Sequence, residues 1–108
     1  IYEDGRIVRD FVYIDDVVNA LFAAVQEPAT RHLDIGSGIP TTIHELGRKI
    51  AAMCDAPEPT IVAKFRDGDV RAASCTTEPA ENQLDWHPMW ALEDGLHALL
   101  KWIDGQPQ

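Results

Sequence analysis

Residues 9–21, RDFVYIDDVVNAL, decide the fold. An arginine and an aspartate lead into Phe11 to Ile14, an aromatic and β-branched run that predicts a short strand. Asp15 or Asp16 then supplies the cap of a predicted helix that runs to about Gln26 and stops at Pro28. Two carboxylates there also suit the positive pole of the helix dipole, so they need no catalytic role. A strand passing at once into an amphipathic helix is the repeating unit of an α/β protein.

The same alternation extends outward on both sides. Upstream, Ile1-Tyr2 and Arg6-Ile7-Val8 flank Glu3-Asp4-Gly5, a hairpin signal. Downstream, His32 to Ile35 predicts a second strand, ending in Gly36-Ser37-Gly38. Thr42 and Glu45 have capping-box spacing, and Ile43, Leu46, Ile50, Met53 and Cys54 mark one face of the helix they open. Thr60 to Phe65 predicts a third strand, leading into the loop Arg66-Asp67-Gly68-Asp69. A short helix over Glu78 to Leu84 tolerates Pro79 in its first turn. Leu92, Leu96, Leu99, Leu100 and Ile103 stripe a last helix, closed by Gly105 and Pro107. The predicted order is hairpin, strand, helix, strand, helix, strand, helix, helix. It forms one α/β domain over residues 1–108, with no repeat, linker or low-complexity segment.

The 108 residues carry 18 acidic and 9 basic side chains, a formal net charge of −9. Nucleic acid and anionic membrane both require a surplus of Lys and Arg, so neither is an expected partner. No run reaches the roughly 18 apolar residues of a membrane span, and no signal peptide opens the chain. Cys54 and Cys75 form no CxxC pair and have no metal-ligand spacing with His32, His44, His87 or His97, so no metal site is expected. Two reduced thiols in a cytoplasmic protein is the expected state. His44 is expected as an exposed helix residue, and Trp86, Trp90 and Trp102 as core and rim aromatics. The chain opens at Ile1, within an expected strand, and so reads as a fragment.

The loop FRDGDV, residues 65–70, carries the chemistry. An arginine leaves a strand, a glycine turns the chain, and an aspartate stands three residues after the arginine. Arginine suits bidentate phosphate contacts and an ionised aspartate accepts from paired hydroxyls. Arg9 and Arg66 at two strand ends could clamp a diphosphate while Asp69 holds a ribose. Spacing alone favours exposed turn charges.

Four motifs in order, RDFVYIDDVVNAL, LDIGSG, FRDGDVR and LDWHP, resemble the C-terminal part of the extended short-chain dehydrogenase/reductase family. More narrowly, the chain resembles the NAD-dependent nucleotide-sugar epimerases and dehydratases of the UDP-glucose 4-epimerase type. The resemblance implies a Rossmann-type enzyme whose C-terminal substrate-binding portion has short strands and about four helices. It implies that Arg9 and Arg66 bind the substrate pyrophosphate and that Asp69 binds the nucleotide ribose. Phe11 and Ile43 then lie beside the nucleotide. Three positions depart from the family pattern: Asp34 stands for the usual Asn, Thr76 for the usual capping Asp, and Asp85 for the usual Gly. Gly36 and Gly38 lack the third glycine of a dinucleotide fingerprint.

The family's Gly-rich cofactor loop and Tyr-x-x-x-Lys pair are absent, since Arg6 stands four residues after Tyr2 and Val17 four after Tyr13. No group therefore serves the proton transfer that accompanies hydride movement. The expectation is a nucleotide-diphosphate-sugar-binding portion, inactive alone, with no catalytic or cofactor-binding residue of its own and with NAD or NADP implied for the parent enzyme. The alternative is a free-standing, non-catalytic binding or assembly module derived from such an enzyme. The expected partners are the nucleotide-diphosphate sugar, an N-terminal cofactor domain and a second copy of the chain in a homodimer.

Overall fold

The computed structural model describes residues 1–27 and 31–107. Its elements are β1 (Val8–Asp10), α1 (Ile14–Gln26), β2 (Pro40–Thr42), α2 (Ile43–Met53), α3 (Glu78–Leu84) and α4 (Leu92–Asp104). The α/β class and the four helices agree with the sequence reading, but the strands do not fall where propensity put them.

β1 lies ahead of the expected Phe11–Ile14 strand, and Ile14 is already the first helical residue. β1 pairs antiparallel with β2, joining Val8 to Thr42, Arg9 to Thr41 and Asp10 to Pro40. Its other side forms a parallel bridge from Val8 to Ala72. The expected strand at His32–Ile35 joins no ladder among the described residues. Leu33 and Ile35 instead pack against the core.

The predicted hairpin is a turn. Gly5, at φ +74°, donates its N–H to the Tyr2 carbonyl at 3.3 Å, but residues 1–3 do not pair with residues 6–8. They run beside the expected third strand instead: the Val62 N–H donates to the Ile1 carbonyl at 2.9 Å and the Glu3 N–H to the Lys64 carbonyl at 2.7 Å. Between these bonds Ala63 adopts φ +52°, so residues 60–65 form no regular strand.

The helices follow the sequence closely. Thr42 caps α2 through its side chain, and Glu45 returns the bond to the Thr42 amide, completing the capping box. α3 has the predicted bounds, but its cap position is Thr77 rather than Thr76 and makes no side-chain bond. α4 ends at Gly105 as expected. The cap of α1 is Tyr13, with Asp15 and Asp16 inside the first turn. Pro28, the expected stop, lies outside the described residues.

Asp16 has a different task. It is buried at 1% exposure, and its carboxylate accepts the Met89 N–H at 2.9 Å and the Trp90 N–H at 3.1 Å. Its main-chain carbonyl accepts the Trp86 indole N–H at 3.1 Å. One residue therefore joins α1 to the segment between α3 and α4, beside a core of Ala20, Ala80, Leu84 and Trp86.

That core is small for the surface it serves. The accessible area is 7995 Å², against about 6,000 Å² for a compact monomer of this mass. The radius of gyration is 16.3 Å, against ~13 Å for a compact domain of this length. Along α1, Ile14, Val18, Leu21, Phe22 and Val25 form an exposed apolar stripe. Trp102, expected near the core, is 62% exposed. Among the described residues no helix is long and apolar enough to cross a membrane.

Candidate functional site

β1 ends at the site. The pleat leaves Arg9 half-buried, where its Nη1 donates to the Val8 carbonyl at 2.8 Å and its Nη2 reaches Asp69 Oδ1 at 3.3 Å. Asp69 closes a turn in which its N–H donates to the Arg66 carbonyl at 3.2 Å. Gly68 sits at φ +81°, a conformation that side-chain-bearing residues rarely adopt. The Arg66 guanidinium lies 5.4 Å from the centre of the Tyr2 ring, within cation–π range.

The structure thus brings Arg9 and Asp69 together and places Arg66 at the head of the same turn. Phe11 is half-buried and, with Tyr13 and Trp90, lines an apolar cavity of about 460 Å³ between α2 and α4. Tyr13 and Trp90 stack there with ring centroids 4.2 Å apart. Ile43 is half-buried at the start of α2, its N–H donating to the Ile7 carbonyl at 2.9 Å, and is absent from the cavity lining. His44 is half-buried rather than exposed, its N–H donating to the Gly5 carbonyl at 3.0 Å.

Two contributors escaped the sequence reading. Asp10 accepts from the Ser37 N–H at 2.7 Å, the Ser37 hydroxyl at 2.8 Å and the Gly38 N–H at 2.8 Å. The Cys75 thiol approaches the same carboxylate at 3.5 Å. Burial, with the Asp10 charge adding to it, pushes that thiol above its usual range and keeps it protonated and weakly nucleophilic. A side chain at Gly36 would place its Cβ 2.3 Å from the Cys75 sulfur, so only glycine fits. The Gly-Ser-Gly turn gives two of its amides to Asp10, so it does not fit the cradle that a dinucleotide pyrophosphate needs.

Arg71 is the other contributor. Its guanidinium forks across Glu3 Oε2 at 2.7 Å and Asp4 Oδ2 at 2.6 Å. The bond from Arg71 holds the Asp4 carboxyl down at about 2, and the two carboxylates together raise the arginine further. Its place at the end of the FRDGDVR motif was its signal in the sequence, with no role attached.

Comparison with known proteins fixes the lineage. Residues 1–36 match the model of the NAD dependent epimerase/dehydratase family. The dTDP-L-rhamnose 4-epimerase of Burkholderia thailandensis is 49% identical over 95% of this chain. The UDP-glucose 4-epimerase of Thermotoga maritima, crystallised with UDP-glucose, superposes with a TM-score of 0.90 over 96% of the chain at 33% identity. This chain belongs to the extended short-chain dehydrogenase/reductase family of NAD-dependent epimerases and dehydratases. The UDP-glucose 4-epimerase of Mycolicibacterium smegmatis, another such epimerase, is 32% identical over the whole chain. The chain spans about a third of these relatives, 29% of the Burkholderia enzyme and 35% of the Mycolicibacterium one.

Proposed function

We propose that this chain is the nucleotide-diphosphate-sugar-binding portion of an NAD(P)-dependent sugar epimerase or dehydratase. The observation that carries the reading is the Arg9–Asp69 ion pair at 3.3 Å, with Arg66 at the head of the same turn. Two guanidiniums, one on β1 and one in the turn, suit the two phosphates of a diphosphate, and the carboxylate beside Arg9 suits the hydroxyls of a ribose. The Arg9–Asp69 pair is partly exposed, at 29% and 38% of the two side chains. Such pairs are worth little, so an incoming diphosphate can take Arg9 at small cost. Phe11 and Ile43 flank the nucleotide in this reading. The nicotinamide cofactor and the acid–base pair belong to the rest of the enzyme, and the isolated chain turns over no sugar. The setting is cytoplasmic.

The large accessible area and the apolar stripe on α1 support a protein partner for this face. In the enzyme that partner is the cofactor-binding portion. When the chain stands alone, a second copy takes its place and gives a homodimer, which sedimentation at micromolar concentration reads directly.

Titration of UDP and dTDP into the 108-residue chain, followed by amide chemical shifts, tests the site. Shifts should cluster at Arg9, Phe11, Ile43 and residues 66–69. Arg66→Ala should weaken binding roughly ten- to hundredfold through loss of a charge-assisted contact. Equal affinity in wild type and Arg66→Ala would remove Arg66 from the site.

A further inference from the structure

Residues 60–74 are exposed or nearly so throughout, so no apolar packing fixes the turn that carries Arg66 and Asp69. Its backbone is held on one side by the Glu3 N–H on the Lys64 carbonyl, at 2.7 Å. On the other side the Val8 N–H donates to the Arg71 carbonyl, at 3.0 Å. Between those points its bonds among the described residues are the one closing the turn and the ion pair to Arg9. The Arg71 side chain adds what the backbone lacks. It forks across Glu3 and Asp4, and Tyr2, the residue before Glu3, is the ring over which Arg66 lies. Its carbonyl meanwhile holds Val8, the residue before Arg9. One residue therefore ties together the far end of the loop, the ring beneath Arg66 and the strand that carries Arg9.

We infer that Arg71 is a positioning residue: it sets Arg66 and Asp69 against Arg9 for nucleotide-diphosphate binding without touching the ligand. The inference rests on the diphosphate reading above. Two carboxylates already occupy the Arg71 fork, and their charge repels a phosphate from it. A direct phosphate ligand would behave in the opposite way when those carboxylates are removed.

That contrast supplies the test, with UDP as the probe and the 108-residue chain as the protein. Arg71→Ala should weaken UDP binding about three- to tenfold, the scale of a small ion-pair network. Arg71→Lys, which keeps the charge but cannot span both acids, should fall between that variant and wild type. The decisive variant is Glu3→Gln with Asp4→Asn. It leaves Arg71 intact but untethered, and should weaken UDP to the same degree as Arg71→Ala. Amide exchange should quicken in residues 65–70 of these variants while α4 stays as in wild type, which separates loop release from unfolding. Unchanged or tighter UDP binding in the Gln/Asn variant would overturn the inference, as would unchanged exchange in residues 65–70. If Arg66→Ala weakens UDP and Arg71→Ala does not, this inference alone falls. If wild type does not bind UDP, the reading beneath it falls as well.

Discussion

Replacing Asp16 with alanine should do more damage than any other single polar truncation in the core. Its carboxylate is the acceptor for the Met89 and Trp90 amides, at 2.9 and 3.1 Å, in a side chain at 1% exposure. An orphaned buried donor costs about 1–3 kcal/mol. Met89 is exposed and Trp90 half-buried, so water reaches the first amide more readily and its cost sits at the low end. Removing a desolvated carboxylate returns part of the loss. The balance is a destabilisation of ~3 kcal/mol, against a total of about 5–15 kcal/mol for a domain of this size. Urea unfolding monitored by tryptophan fluorescence reads this well, because Trp86 and Trp90 sit on either side of the link. With a slope of about 1–3 kcal/mol per molar urea, the midpoint should fall by roughly 1–3 M at unchanged slope. Asp16→Asn retains one acceptor and should lose about half as much. An Asp16→Ala unfolding free energy within ~1 kcal/mol of wild type would mean that the amides find other partners and that Asp16 is no strut.

Two further expectations concern backbone strain and protonation. Asp85 closes α3 at φ +48°, ψ +43°, a left-handed conformation costing a side-chain-bearing residue about 1–2 kcal/mol. Asp85→Gly should therefore stabilise the chain by ~0.5–1 kcal/mol after the glycine's larger unfolded-state entropy, raising Tm in a thermal scan; a lowered Tm would refute this. The Asp4 carboxyl, held at about 2 by Arg71 against an ordinary 3.8, binds protons less readily folded than unfolded. Its contribution is complete above pH 3.8 and is lost as pH falls toward 2. Carbon-detected titration should show the depressed midpoint in wild type and its return toward 3.8 in Arg71→Ala.

Helices were legible because their signals are local. Thr42 and Glu45 stand three residues apart, and the leucines of α4 recur at helical spacing, so each element carries its own evidence. Strands and struts were not, because their partners are remote. Nothing in Pro40-Thr41-Thr42 proclaims a strand until Val8, Arg9 and Asp10 lie beside it. Phe11-Val12-Tyr13 has strand composition but packs as irregular chain along an apolar cavity. An aspartate in a first turn has the same sequence signature whether it faces water or, like Asp16, the amides of residues 89 and 90. The site divides in the same way. Motif resemblance selected Arg9, Arg66 and Asp69, whereas Asp10 and Arg71, which hold the surrounding chain, became visible only through their contacts.

Val8 is paired on both sides of β1, with Thr42 and with Ala72, which stand 34 and 64 positions later (42 − 8 and 72 − 8). During synthesis at about 5–20 residues per second, the first of these partners emerges seconds after Val8 and the second roughly 3–13 s after it. Until then the strand bearing Arg9 has no completed sheet to join. Both loop closures must precede the completed sheet around Arg9. Slowing translation between positions 42 and 72 would prolong an intermediate in which α1 and α2 can form while the central strand still waits for its second neighbour.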